Sequence, residues 1–203
     1  NTTNNYLKKI DFKQYSQSIL KKITKMGIPT AFSSFFEVSA FSGAAFISGY
    51  ALAQTPEAII SAKTHLAANK IAMDFASISF MICMGLSVAA TVRVANQLGL
   101  KNWKLMREAG FSAIFMAAAF MLFAGIIMVI FRHQLPKIFL DEIEVISLAS
   151  KLLIIAALFQ LFDGIQLVTM GALRGMQDVL IPSIITFVAY WVVAIPLGSL
   201  LAI

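Results

Sequence analysis

Apolar residues collect in five long runs, roughly 27–52, 66–95, 109–131, 145–170 and 180–203, separated by short polar connections. Each run reaches or exceeds the roughly 20 residues that a helix needs to cross about 30 Å of hydrocarbon. Lipid cannot satisfy free backbone N–H and C=O groups, so such runs are read as helices. A membrane β-barrel would need ten-residue segments of alternating polarity, and none is visible. The pattern predicts an all-α integral membrane protein, a bundle of five transmembrane helices. Residues 1–26 form a separate lead-in segment, and 27–203 the transmembrane part. Within the lead-in, Phe12, Tyr15, Ile19, Leu20 and Ile23 fall at helical spacing with lysines between them. That spacing predicts a cytoplasmic interfacial helix anchored on the lipid surface ahead of the first span. No soluble domain, low-complexity tract or linker is evident. The chain starts at Asn1 without a signal-peptide pattern and stops inside its fifth apolar run, so a fragment of a longer protein is expected.

Composition strengthens the membrane reading. The chain is 59% hydrophobic and 13% charged, against about 25% charged in an ordinary soluble domain. Its net charge of +6 is distributed as a topology signal. Lys8, Lys9, Lys13, Lys21, Lys22 and Lys25 precede the first run; Arg93, Lys101, Lys104 and Arg107 join the second and third; Arg174 lies between the fourth and fifth. The opposite connections carry only Lys63, Arg132 and Lys137, mixed with Glu57, Asp141, Glu142 and Glu144. Positive-inside bias therefore predicts a cytoplasmic N-terminus for this chain in a cell inner (plasma) membrane. The basic segments lack the interleaved aromatics that stack bases, so no nucleic-acid partner is expected.

Against this apolar background three carboxylates stand out: Glu37, Asp74 and Asp163. A charge at bilayer depth costs at least about 2.5–3.5 kcal/mol, and its default reading is an ion or substrate pathway. At 1.5 Å per residue, Glu37 lies about 15 Å from the cytoplasmic start of its run, and Asp163 and Asp74 each about 12 Å from an end. All three therefore fall near the midplane, where transporters commonly place their sites. Each acid has polar neighbours at helical spacing. Asp163 has Gln160 and Gln166; Glu37 has Ser33 and Ser34; Asp74 has Lys70 and Ser77. Residues three and four apart share a helix face, so these stripes should face a polar cavity or one another. The bland alternative is interhelical hydrogen bonding by a protonated carboxyl. For Asp74 the alternative is an i,i+4 pair with Lys70, which can snorkel outward.

Other chemistry finds little support. Cys83 reads as a small packing residue. His65 and His133 form no ligand spacing with it, which disfavours structural zinc. No phosphate-cradling Gly-rich loop ends in Lys-Ser/Thr, so no nucleotide site is expected, and no cofactor. A membrane enzyme would need a catalytic cluster near an interface, and none is seen; the chain is read as a non-enzyme.

Three segments in order carry a family resemblance. FFEVSAF at 35–41, AANKIA at 67–72 continuing into FASISFMICMGLSVAATVRVANQLG, and FQLFDGIQLVTMGALRGMQD at 159–178 resemble the seventh, eighth and tenth helices of the multidrug and toxic compound extrusion (MATE) transporters, in their NorM-like branch. The resemblance extends from about Gly27 onward. It implies helices seven to eleven of a twelve-helix, two-lobe transporter, partnered by an N-terminal lobe of the same protein and by the lipid bilayer. It further implies efflux of small, often cationic, organic compounds by antiport with H⁺ or Na⁺. Glu37 and Asp163 inherit the role of holding the coupling cation, and would be the metal ligands if that cation is Na⁺. The cation- and substrate-binding candidates are Glu37, Asp163, Asp74, Gln160, Gln166, Ser34 and Phe80. Three positions depart from the family pattern. Phe80 stands where some members have Tyr and offers no oxygen; Cys83 stands where a proline is common; Asp74 replaces an expected neutral polar residue. A lipid-linked oligosaccharide flippase of related architecture is the alternative, but it should favour basic residues in its cavity.

Overall fold

The computed structural model describes the backbone of residues 17–52 and 56–202, and the side chains of 17, 19–43 and 63–200. The lead-in aromatics Phe12 and Tyr15 lie outside the described residues. Helix α1 spans Gln17–Leu52, α2 Pro56–Gly99, α3 Trp103–Ile130 and α4 Ile143–Gly175. The last span is composite: α5 at Leu180–Phe187, a π-helical segment at Val188–Ala194, and α6 at Ile195–Ala202. Among the described residues, four helical stretches are long and apolar enough to cross a membrane: Lys63–Gly99, Trp103–Ile130, Ile143–Gly175 and Leu180–Leu200. The expected first span, 27–52, falls within α1, most of it with described side chains. The molecule is an all-α membrane helical bundle.

The helices outrun the apolar runs that announced them. At 1.5 Å per residue, the 44 residues of α2 make a rod of about 66 Å. Hydropathy marks the stretch that lipid tolerates, whereas the helix continues through Ala, Glu and Lys beyond it, all good helix formers.

Two packed groups make the bundle. In the first, α2 and α4 run parallel in direct contact, with α3 antiparallel and packed against both. Ala68 and Ile71 of α2 meet Val145 and Ala149 at one end of α4. Cys83, Met121 and Val168 fill the middle, and Val94, Met106 and Ala172 the other end. Cys83 is fully buried there, as a packing residue. Helix α4 buries Ala157, Gln160, Gly164, Val168, Gly171 and Gly175, a stripe at three- and four-residue spacing. Its small residues let backbones meet closely, the usual means of helix association in lipid. The Thr91 hydroxyl donates to the Gly171 carbonyl at 2.7 Å and that of Ser87 to the Leu167 carbonyl at 2.9 Å. A Cβ on Gly175 would lie 2.6 Å from the Thr91 carbonyl oxygen, and one on Gly171 would overlap Ser87 backbone. Gly171→Ala should therefore cost about 1–3 kcal/mol by overpacking. The measurement is thermal unfolding in detergent, and an unchanged midpoint would contradict this close approach.

In the second group α1 runs beside the composite last span. Ser33 donates to Ser183 at 2.7 Å, and the Ser183 hydroxyl reaches the Pro29 carbonyl at 2.9 Å. One turn further on, Phe36 packs against Phe187 with ring centroids 4.9 Å apart. The π-helical segment ends just before Pro196, whose missing N–H already interrupts the helical ladder. The connection between α2 and α3 is tight. Lys101 adopts a left-handed conformation at φ 56°, and the Asn102 side chain caps α3 by accepting from the Leu105 N–H at 3.2 Å.

Candidate functional site

Where the two groups meet, they leave a cavity of about 1010 Å³. Its walls come from α1, α2, α3 and α4, because α1 leans on the last span and touches α2 only thinly. The lining reaches His65 and Leu66 near one end of α2 and stops at Phe80, Met121, Gln160 and Asp163. Beyond that floor the Ser87–Thr91 contacts with α4 and the Ser33–Ser183 contact bring the helices together. The cavity thus opens toward the end bearing Lys63 and His65 and is closed toward the end bearing Arg93 and Arg174.

Four of the seven residues singled out from sequence line this cavity: Glu37 from α1, Phe80 from α2, and Gln160 and Asp163 from α4. Glu37 and Asp163, 126 positions apart in the chain, face one space and lie within electrostatic reach of each other. Both are half-buried. Two carboxylates lining one cavity place two negative charges where a proton or a small cation could be taken up.

The other three lie elsewhere. Asp74 is not part of the lining; its Oδ1 accepts from Lys70 Nζ at 2.6 Å. Lys70 does line the cavity, toward the open end, with its side chain 73% exposed. The pair therefore sits at the rim, away from the floor. Ser34 is exposed, and its hydroxyl donates back to the Thr30 carbonyl at 3.4 Å. Gln166 is exposed and reaches the Tyr190 hydroxyl at 3.5 Å. The rim pair invites a double-mutant cycle. Lys70→Ala should lower the thermal unfolding midpoint in detergent by leaving Asp74 uncompensated, an effect of up to about 1 kcal/mol. Lys70→Ala/Asp74→Ala should recover part of that loss in the same measurement. A double variant no better than the worse single would show that the two side chains act independently.

Sequence reasoning missed an aromatic cluster beside the acids. Phe41 of α1 packs edge-on against Phe159 of α4 at 5.6 Å, and against Tyr190 of the π segment at 6.2 Å. Tyr190 also lies within electrostatic reach of both Glu37 and Asp163. The signal was present: a hydroxyl within an apolar run is the same kind of exception as a carboxylate. Among the described residues no three His, Cys, Asp or Glu side chains come together as a metal-binding group. A cation held here would need amide or hydroxyl oxygens beside the two carboxylates.

Several helices able to cross a membrane, around a largely apolar cavity that holds two acids, define a multi-pass membrane protein. The family follows from comparison: the MatE family model matches residues 29–200, and the chain belongs to that family. It is 40% identical to a probable multidrug resistance protein NorM of Mesorhizobium japonicum over 89% of this chain and 38% of the relative. It is 36% identical to the multidrug resistance protein MdtK of Proteus mirabilis over 90% of this chain and 38% of the relative. A probable NorM of Bacillus thuringiensis is 36% identical over 92% of this chain and 39% of the relative. The chain thus spans about two fifths of the length of the curated relatives it matches.

Proposed function

We propose that the full-length protein exports small organic compounds, often cationic, by antiport, and that Glu37 and Asp163 hold the coupling cation. The observation that carries this reading is the placement of both carboxylates on one cavity at the junction of the two helix groups. The cavity suits such cargo in two ways. Phe41, Phe80, Phe159 and Met73 supply apolar and aromatic surface, and a cation over an aromatic face gains about 0.5–2 kcal/mol. The acids supply negative charge that cargo and coupling cation would compete for. Export follows when binding of one displaces the other on opposite sides of the membrane.

The distribution of basic residues supports an inner-membrane orientation with the N-terminus of this chain in the cytoplasm. In that orientation the cavity opens outward. Its missing wall would come from an N-terminal lobe, consistent with relatives more than twice as long. A flippase for lipid-linked pyrophosphate is less well supported, because the basic residue Lys70 in the lining is already paired with Asp74. The test is accumulation of a fluorescent organic cation in cells expressing the full-length protein. Lower accumulation than in cells without it is expected, and equal accumulation across several such dyes would refute the reading.

A further inference from the structure

Gln160 is the most anomalous polar group in the bundle. It is 2% exposed, and neither its carboxamide oxygen nor its nitrogen has a hydrogen-bond partner among the described residues. Buried polar groups are nearly always paired, and an unpaired one costs about 1–3 kcal/mol. Packing alone does not account for it, since a methionine would fill a similar volume without that penalty. Its surroundings keep room for it. The carboxamide lies against Gly125 of α3, where a Cβ would sit 3.4 Å from its nitrogen and 3.2 Å from the Ala157 carbonyl oxygen. Gln160 belongs to the cavity floor, and it lies three residues before Asp163, hence on the same face of α4.

We infer that Gln160 is a ligand of the cavity's coupling site: its carboxamide oxygen binds the small hard cation, hydronium or Na⁺, that Asp163 holds. The inference rests on the antiport reading above and adds to it a third oxygen donor, on a third group. Hard cations select oxygen, and a carboxamide oxygen is a neutral donor that lengthens the coordination shell without adding charge. Glu37 lines the same cavity from α1, and His65 and Lys70 line it from α2 toward the open end, Lys70 being paired with Asp74. Met121 of α3 closes the floor without a charge. The two carboxylates are therefore the charges that confront the cation, and Gln160 completes their donor set. A rotation of the Gln160 side chain away from Gly125 toward Asp163 would complete that contact.

The test uses the full-length transporter reconstituted in lipid vesicles, with efflux of a fluorescent organic cation driven in one arm by an imposed pH gradient and in the other by a Na⁺ gradient. Gln160→Met should unfold at higher temperature than wild type, since it removes the unpaired amide. It should also raise the half-saturating concentration of the driving cation about tenfold, the worth of one hydrogen bond to a charged group, with little change in maximal rate. The arm that shifts identifies which cation Gln160 binds. Gln160→Glu should move half-saturation the other way, because a charged oxygen replaces a neutral one. If Gln160 takes no part in cation binding, the stability gain alone is expected. Unchanged half-saturation in both arms for both variants, with wild type responsive, would overturn the inference. Wild-type vesicles that respond to neither gradient would instead overturn the antiport reading beneath it.

Discussion

Asp163→Asn is expected to reduce drug export to the level of cells that lack the protein, while insertion and thermal stability stay near wild type. Asn keeps the size of the side chain and its capacity to hydrogen-bond, but removes the charge that a cation and the cargo would compete for. Asp163 is half-buried on the cavity floor, not locked into a packed core. Removing its charge also relieves the cost of holding a carboxylate at membrane depth, so folding has no reason to suffer. The measurement pairs dye accumulation in cells with the melting temperature of the purified full-length protein. Export at wild-type rates with normal expression would remove Asp163 from the coupling mechanism. A protein that no longer folds would show instead that the carboxylate is structural, the bland alternative of interhelical bonding.

Much of the fold was legible because lipid imposes a severe rule: twenty apolar residues must be a helix. The second, third, fourth and fifth runs each correspond to a helical stretch able to cross a membrane. Helix ends were not legible, because hydropathy reports depth and not helix length. Nor was the π segment, since nothing in Val188–Ala194 distinguishes it from an α-helical apolar run. At the site, Glu37 and Asp163 were found by a single physical criterion, charge at depth. That criterion picked out Asp74 as well, and only the three-dimensional placement separates the rim pair from the floor. Spacing correctly put Gln160 and Gln166 on the flanks of Asp163. It did not tell that one would be buried beside Gly125 and the other exposed toward Tyr190. Residues three positions to either side of a third lie six apart and can face different helices, and which one they meet depends on pairing that no single run encodes. Phe41 and Phe159 were missed for the opposite reason: an aromatic in an apolar run carries no signal until its partner is known.

An imposed pH gradient, acidic outside, is expected to drive efflux from vesicles containing the full-length protein, and more strongly than a Na⁺ gradient of equal size. A proton needs one carboxyl that can take it up, and the cavity offers two within electrostatic reach of each other. Sodium asks for more. Hard cations bind several oxygens at once, and among the described residues the charged donors of this cavity are Glu37 and Asp163, with no third acid beside them. Phe80 presents a ring and no oxygen at the floor. Gln160 narrows the gap but leaves a Na⁺ shell thinner than that of a dedicated site. Since the open end of the cavity would face outward, external protons would reach the acid pair and neutralise it. A neutral pair holds organic cations less strongly, so protonation would expel the cargo and return the emptied site to the cytoplasmic face. Glu37→Gln should then weaken the response to the pH gradient even where dye binding survives. Efflux that follows a Na⁺ gradient, with no response to an imposed pH gradient, would show that the carboxylates and amides suffice for sodium and that proton coupling is wrong.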